Sequence, residues 1–324
     1  MSVRRFVAAF VLGVLCQGCG SSAIHAASRA GVAPEIQRAT SQLAEPLDPK
    51  FFARRSVQAR APKAFSLMPE AQAGLRAMEK EAGAARFNLV NTLQGNPQLY
   101  VNIKRFPALT WEARLAVLRS VFDVECKVLR IKAPELVIST TEIKGPAYFD
   151  FDPAKPGAGR VILNPDAIAK DANPWTALLL LIHETRHSAQ FQMAFETKSD
   201  QMGARALDPD GQRSLLRDNY RAAFVAQKSF SGDLNFSDFC SLNNEYDAFR
   251  FGNFVVGALT RWQVDTLDMG CFSSQFDKLG NPRIDLIALG NQVGPAALLD
   301  AFNERQTEQY RLLKSAEKAQ SAQR

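Results

Sequence analysis

The chain has 324 residues, 46% hydrophobic and 22% charged, a balance that excludes the disordered and fibrous classes and leaves room for a sizeable core. A formal charge of +6 suggests a nucleic-acid or anionic-membrane partner, but the excess sits in the first 66 residues, where Arg4, Arg5, Arg29, Arg38, Lys50, Arg54, Arg55, Arg60 and Lys63 face Glu35, Glu45 and Asp48. Residues 67–324 are neutral, so a nucleic-acid partner is excluded for the folded body.

Residues 1–19 carry two arginines, an apolar run of about eleven residues and then small residues, the layout of a secretory signal too short to span a bilayer as a permanent helix. The stretch Gly18-Cys19-Gly20-Ser21-Ser22 resembles the cysteine junction of bacterial lipoproteins, which implies a lipid on Cys19, although Cys16 stands where that pattern normally has Leu. Cleavage after Ala23 or Ala26 is the alternative. Either route predicts an exported protein of the periplasm or cell envelope. Residues 20–66, rich in Ala, Arg, Gln and Pro without an apolar period, predict a basic tether, and residues 67–324 a single domain acting as a monomer. Cys126, Cys240 and Cys271 remain beyond Cys19, with no CxxC spacing. One disulfide, Cys240 with Cys271, plus a free thiol suits an oxidising compartment; three buried thiols are the alternative.

From residue 67 the pattern turns helical, over 69–94 and again over 111–129 behind a Thr110 cap, where Leu115, Leu118, Val121 and Phe122 share one stripe. These stripes are core material. Residues 134–140 and 147–152 have strand composition; the Pro- and Gly-rich turn after Asp152 leads into a third strand at 160–164. A small sheet with a hairpin is expected, then a short helical or turn segment to about residue 172, then a helix with Asn173 as cap and Pro174 as first residue. That helix is apolar on all sides through Leu178, Leu179, Leu180, Leu181 and Ile182, so it should be central and buried.

Inside it, His183-Glu184-Thr185-Arg186-His187 reads HExxH. Residues four apart on a helix point the same way about 6 Å apart, so two imidazoles can grip one zinc ion, and the glutamate after the first can sit beside the metal's water. The competing reading, two histidines that merely meet buried acceptors, requires placing two imidazoles in an apolar helix without compensation. A catalytic zinc takes three protein ligands, and the remaining histidine, His25, lies in the signal or tether, so a carboxylate or a thiolate must be the third. Glu245 is the candidate, near the start of a second amphipathic segment at 241–262; Glu196, Asp200, Asp238 and Asp247 are its rivals.

HExxH followed by Asn244-Glu245-x-x-Ala248 on a second helix resembles the gluzincin group of zinc metallopeptidases. The resemblance covers roughly residues 134–262. It implies a zincin-like α+β fold, mainly helical with a small antiparallel-edged sheet before the HExxH helix, and a zinc held by His183, His187 and Glu245. It also implies Glu184 as general base, Ala248 as the small residue that lets two helices approach, and residues 147–152 or 160–164 as the edge strand that receives an extended peptide. One departure stands out: several gluzincins carry Asp four residues after the ligand glutamate, and here that residue is Phe249, which leaves Asp247 to orient a histidine.

The expected chemistry is peptide hydrolysis. Zinc lowers the pKa of its water toward about 7, and Glu184 takes the proton and returns it to the leaving amine. The oxyanion needs a further donor; Tyr148, Tyr220, Tyr246 and Arg250 are available, and Tyr220, in the helical stretch at 213–227, is the residue selected. Arg186, on another face of the motif helix, is expected to be a structural ion partner. The rival readings are a lipid-anchored binding or scaffold protein that keeps a zincin fold without turnover, and a non-peptidase hydrolase on the same zinc site.

Overall fold

In the computed structural model, which describes residues 52–171, 173–196, 211–262, 276–277 and 279–321, the chain builds a mainly helical α+β fold around one buried cluster. A short helix α1 (Arg55–Gln58) leads through 3-10 turns into α2 (Gln72–Gln94), α3 (Pro97–Lys104) and α4 (Trp111–Leu129). Asn96 caps α3 by accepting the Leu99 N–H, and Thr110 caps α4 by accepting the Ala113 N–H.

Three short strands follow, β1 (Glu135–Ile138), β2 (Ala147–Asp150) and β3 (Arg160–Leu163), in the spatial order β1-β3-β2. The expected hairpin is β2 with β3, antiparallel; β1 adds to the other side of β3 in parallel, so the sheet is mixed. β2 is an edge strand that alternates buried Ala147 and Phe149 with half-buried Tyr148 and Asp150, the pattern of a strand with one face on the core. The Asn164 N–H bonds the Pro146 carbonyl at 2.9 Å, which fixes the ladder phase so that the Phe149 backbone groups point to the free edge.

Asn164 caps the one-turn helix α5 (Pro165–Ile168), and α6 (Thr176–Ala194) carries the histidine motif. α6 begins later than its Asn-Pro signal predicts. Asn173 accepts the Trp175 N–H at 3.0 Å and Asp171 accepts the Thr176 hydroxyl at 2.7 Å, so an Asx turn precedes the helix and neither Asn173 nor Pro174 belongs to it. Every residue from Thr176 to Phe191 is buried, as an all-round apolar helix requires. The remaining helices are α7 (Gln212–Ser229), α8 (Phe236–Cys240), α9 (Asn243–Leu259), α10 (Leu286–Val293) and α11 (Leu298–Ser321). None of the described helices is long and apolar enough to cross a membrane.

α9 lies along α6, and small residues set their separation. Ala248 is fully buried, and a Cβ on Gly252 would meet the Leu179 carbonyl oxygen at 3.3 Å and the His183 nitrogen at 3.6 Å. α7 packs against both helices, α2 against α9 and α4 against α6, and β2 and β3 close the remaining side of α6.

The described residues of the expected tether are packed instead of solvated. Ala53, Val57, Ala64 and Phe65 are buried, Phe65 pairs with Leu242 as an antiparallel bridge, and the Ser66 N–H bonds Ser241 O at 2.7 Å. Asp238, fully buried, accepts the Arg54 N–H at 2.8 Å and its Nε–H at 2.7 Å, and Asn243 donates to Lys63 O at 2.7 Å. This strap fixes the start of α9 without any apolar period, because polar contacts to residues about 180 positions away do the fixing. Cys126 and Cys240 are free buried thiols, so the expected Cys240–Cys271 pairing is not formed; Cys240 is enclosed by Leu67, Phe236 and Phe302. Cys271, His25, Asp200 and the signal and lipid site at Cys19 lie outside the described residues.

Candidate metal centre

α6 presents His183, Glu184 and His187 to a cavity, and Glu245 enters it from the first turn of α9, where a carboxylate also suits the helix dipole. His183 Nε2 and His187 Nε2 stand 3.0 Å apart, and Glu245 Oε2 lies 3.3 Å from each. A tetrahedral zinc with bonds of about 2.0–2.2 Å has donor-to-donor edges of about 3.3–3.6 Å; the two edges to Glu245 match such an ion, and the imidazole–imidazole edge, at 3.0 Å, would open slightly to admit it. All three residues are buried, and among the described residues they form the group of His, Cys, Asp and Glu able to hold a metal. The cavity beside them is about 20 Å³, the size of one water.

Other side chains hold these donors in place. Gln227 Nε2 donates to Glu245 Oε1 at 2.8 Å while Gln227 Oε1 accepts from Asn244 at 2.8 Å, leaving Glu245 Oε2 for the histidines. His187 Nδ1 meets Gln190 Oε1 at 2.8 Å, and Gln190 Nε2 donates to Asp247 Oδ2 at 2.7 Å. Asp247 thus reaches a histidine through Gln190 and not directly. Phe249, in place of an aspartate, packs its ring on His183 with centroids 4.4 Å apart. His183 Nδ1 has no hydrogen-bond partner among the described residues.

Charge in the site is strongly coupled. Burial alone would lower the His187 pKa, but the Glu245 carboxylate overrides it and raises it to about 9. Burial would likewise raise Glu245, yet His187 and His183 pull it down to about 2. Glu184 goes the other way. Burial pushes its carboxyl above the ordinary range, opposed by the two histidines and by a hydrogen bond from the Phe149 backbone at the β2 edge.

The rival carboxylates are used elsewhere: Glu196 pairs with Arg213, Asp238 with Arg54, and Asp247 with Arg186 at 2.8 Å. Arg186 is the structural ion partner expected of it, buried between Asp247 and Glu81 with its guanidinium 5.0 Å from the Phe251 ring centroid. Tyr220 is displaced from the role given to it, because it does not line the cavity and its hydroxyl donates to Asp247 at 2.9 Å. Tyr246 and Arg250 bond each other at 3.0 Å and also face away, whereas Tyr148 lines the cavity. Gln190, Gln227 and Gly252 were not anticipated. Gln190 had a signal, since a residue three after His187 lies on the same face; Gln227 had none.

No protein-family model, curated protein or solved structure matches the chain.

Proposed function

We propose that the chain is a zinc metallopeptidase of the gluzincin type, with a zincin-like fold and His183, His187 and Glu245 as the ligands. The observation that carries this reading is the shared cavity: Glu184, which a metal-binding module does not need, faces the same water-sized space as the three donors. Two imidazoles and one carboxylate are the donor set of a zinc hydrolase centre with a position left for water. A zinc bound there would act as Lewis acid on the scissile carbonyl and acidify the attacking water.

The chain's own residues supply the rest. Glu184, held by the Phe149 backbone, takes the proton from the attacking water and returns it to the leaving amine nitrogen. The free edge of β2 offers backbone groups to an extended peptide. Tyr148, on that edge and in the cavity wall, is the donor placed to bond the developing oxyanion, in place of Tyr220. An exported chain anchored through Cys19 would bring this site to envelope peptides or proteins. The second reading, a non-hydrolytic binding or scaffold protein, draws on the small size of the cavity, about that of one water.

Replacing Glu184 by Gln separates the two. A peptidase loses EDTA-sensitive cleavage of a mixed peptide library while keeping one zinc per chain; cleavage that persists in Glu184→Gln rejects the proposed base, and a wild type that holds zinc without cleaving supports the binding protein.

A further inference from the structure

Behind His187 lies a hydrogen-bond chain that no ligand-based motif specifies. We propose that Gln190 is a positioning residue that holds His187 in one tautomer, proton on Nδ1 and lone pair on Nε2, and that Asp247 in turn fixes Gln190. The inference rests on the metal reading only for its second readout.

The argument is one of donors and acceptors. Gln190 Nε2 donates to Asp247 Oδ2 at 2.7 Å and to the Asn244 carbonyl at 3.0 Å, and neither of these oxygens can donate in return. A flipped amide would set its own oxygen against both, so the orientation is fixed. Gln190 Oε1 is therefore what faces His187 Nδ1 at 2.8 Å, and an oxygen without a proton requires His187 to donate. The neutral ring is left with its lone pair on Nε2, the atom that points to His183 and Glu245.

Asp247 is anchored through the same oxygen by two further donors. Arg186 Nε donates to Asp247 Oδ2 at 2.8 Å and the Tyr220 hydroxyl at 2.9 Å, while Glu81 of α2 takes the outer edge of the guanidinium. Arg186, Gln190, Tyr220 and Asp247 are all buried, so the amide does not exchange these partners for bulk water. Among the described residues His183 Nδ1 has no such partner, and its ring packs on Phe249. The two ligands of one helix are thus held by different means. Without the chain behind it, His187 can carry its proton on Nε2, a form that cannot ligate, and loss of a supporting hydrogen bond of this kind lowers metal affinity by about 10–100-fold.

The chain has three histidines, which makes the test tractable by nitrogen-15 labelling of histidine. In metal-free full-length protein at high pH, where the rings are neutral, the wild-type His187 should show its proton on Nδ1, and Gln190→Met should show the Nε2–H form gaining population. Zinc affinity, read by competition with a chromogenic chelator, should fall about 10–100-fold in Gln190→Met. A wild-type His187 carrying its proton on Nε2, or a Gln190→Met protein that binds zinc as the wild type does, overturns the proposal. If Gln190→Met does not fold, the wild-type tautomer alone decides. A wild type with the Nδ1 proton that binds no zinc strikes the metal reading and leaves the positioning role standing.

Discussion

The metal-free protein is expected to lose stability as the pH rises, because a proton holds His187 and Glu245 together. His187 Nε2 and Glu245 Oε2 are 3.3 Å apart and buried, with His187 raised from 6.5 to about 9 and Glu245 lowered from 4.5 to about 2. The His187 shift corresponds to about 3 kcal/mol. The Glu245 shift describes the same attraction from the other partner, so it is counted once. The His187 contribution is complete below pH 6.5 and disappears as the pH climbs through about 9; the Glu245 contribution is complete above 4.5 and disappears as the pH falls through about 2. The metal-free protein should therefore draw most from this pair between pH 4.5 and 6.5. For a body of this size about 3 kcal/mol amounts to a drop in Tm of roughly 6–12 °C on going to about pH 10. Calorimetry of EDTA-treated wild type and Glu245→Gln, compared at several pH values, isolates the pair from all other titrating groups. The zinc-loaded protein should lack the decline, since its ligating imidazoles carry no Nε2 proton to lose. A wild-type minus Glu245→Gln difference in Tm that stays constant across this range would refute the reasoning.

Gly252→Val should force α9 off α6, because even a bare Cβ stands 3.3 Å from the Leu179 carbonyl. The expected loss is about 1–3 kcal/mol in chemical denaturation, with weaker zinc retention as Glu245 is drawn from the histidines. Arg186→Leu leaves the buried Asp247 carboxylate without its cation and should destabilise by about 3–5 kcal/mol, read from the urea midpoint. Tyr148→Phe should lower kcat for peptide hydrolysis by about 10²-fold with little change in KM, as expected for a donor to the oxyanion. Tyr220→Phe removes the bond to Asp247 and should register in thermal stability, by about 1 kcal/mol.

The features that were legible in the sequence are those set by short-range periodicity. The all-round apolar run at 178–182 makes α6 central, the i, i+4 spacing aligns His183 with His187, and the turn after Asp152 closes the β2–β3 hairpin. Glu245 was legible because the first turn of an amphipathic helix is a local feature, and its arrival at the histidines depends on Ala248 and Gly252, of which Ala248 was anticipated. What was missed is non-local. The strap at 53–66 has no period because its backbone and side chains bond Asp238, Ser241 and Asn243. Gln227 reaches Glu245 from a separate helix, and the helix start at Thr176 was displaced by an Asx turn that resembles a cap in sequence. Tyr220 was misassigned for the same reason: its place in a helix between the ligand segments was readable, but the side of that helix facing Asp247 was not.

Anomalous diffraction at the zinc absorption edge, on crystals of full-length protein grown with zinc, addresses the central claim most directly. One peak per chain bonded to His183 Nε2, His187 Nε2 and the Glu245 carboxylate at about 2.0–2.2 Å, with Glu184 beside its open side, is the predicted result. A peak elsewhere, or a fully ordered triad with no zinc bound at saturating metal, would contradict it.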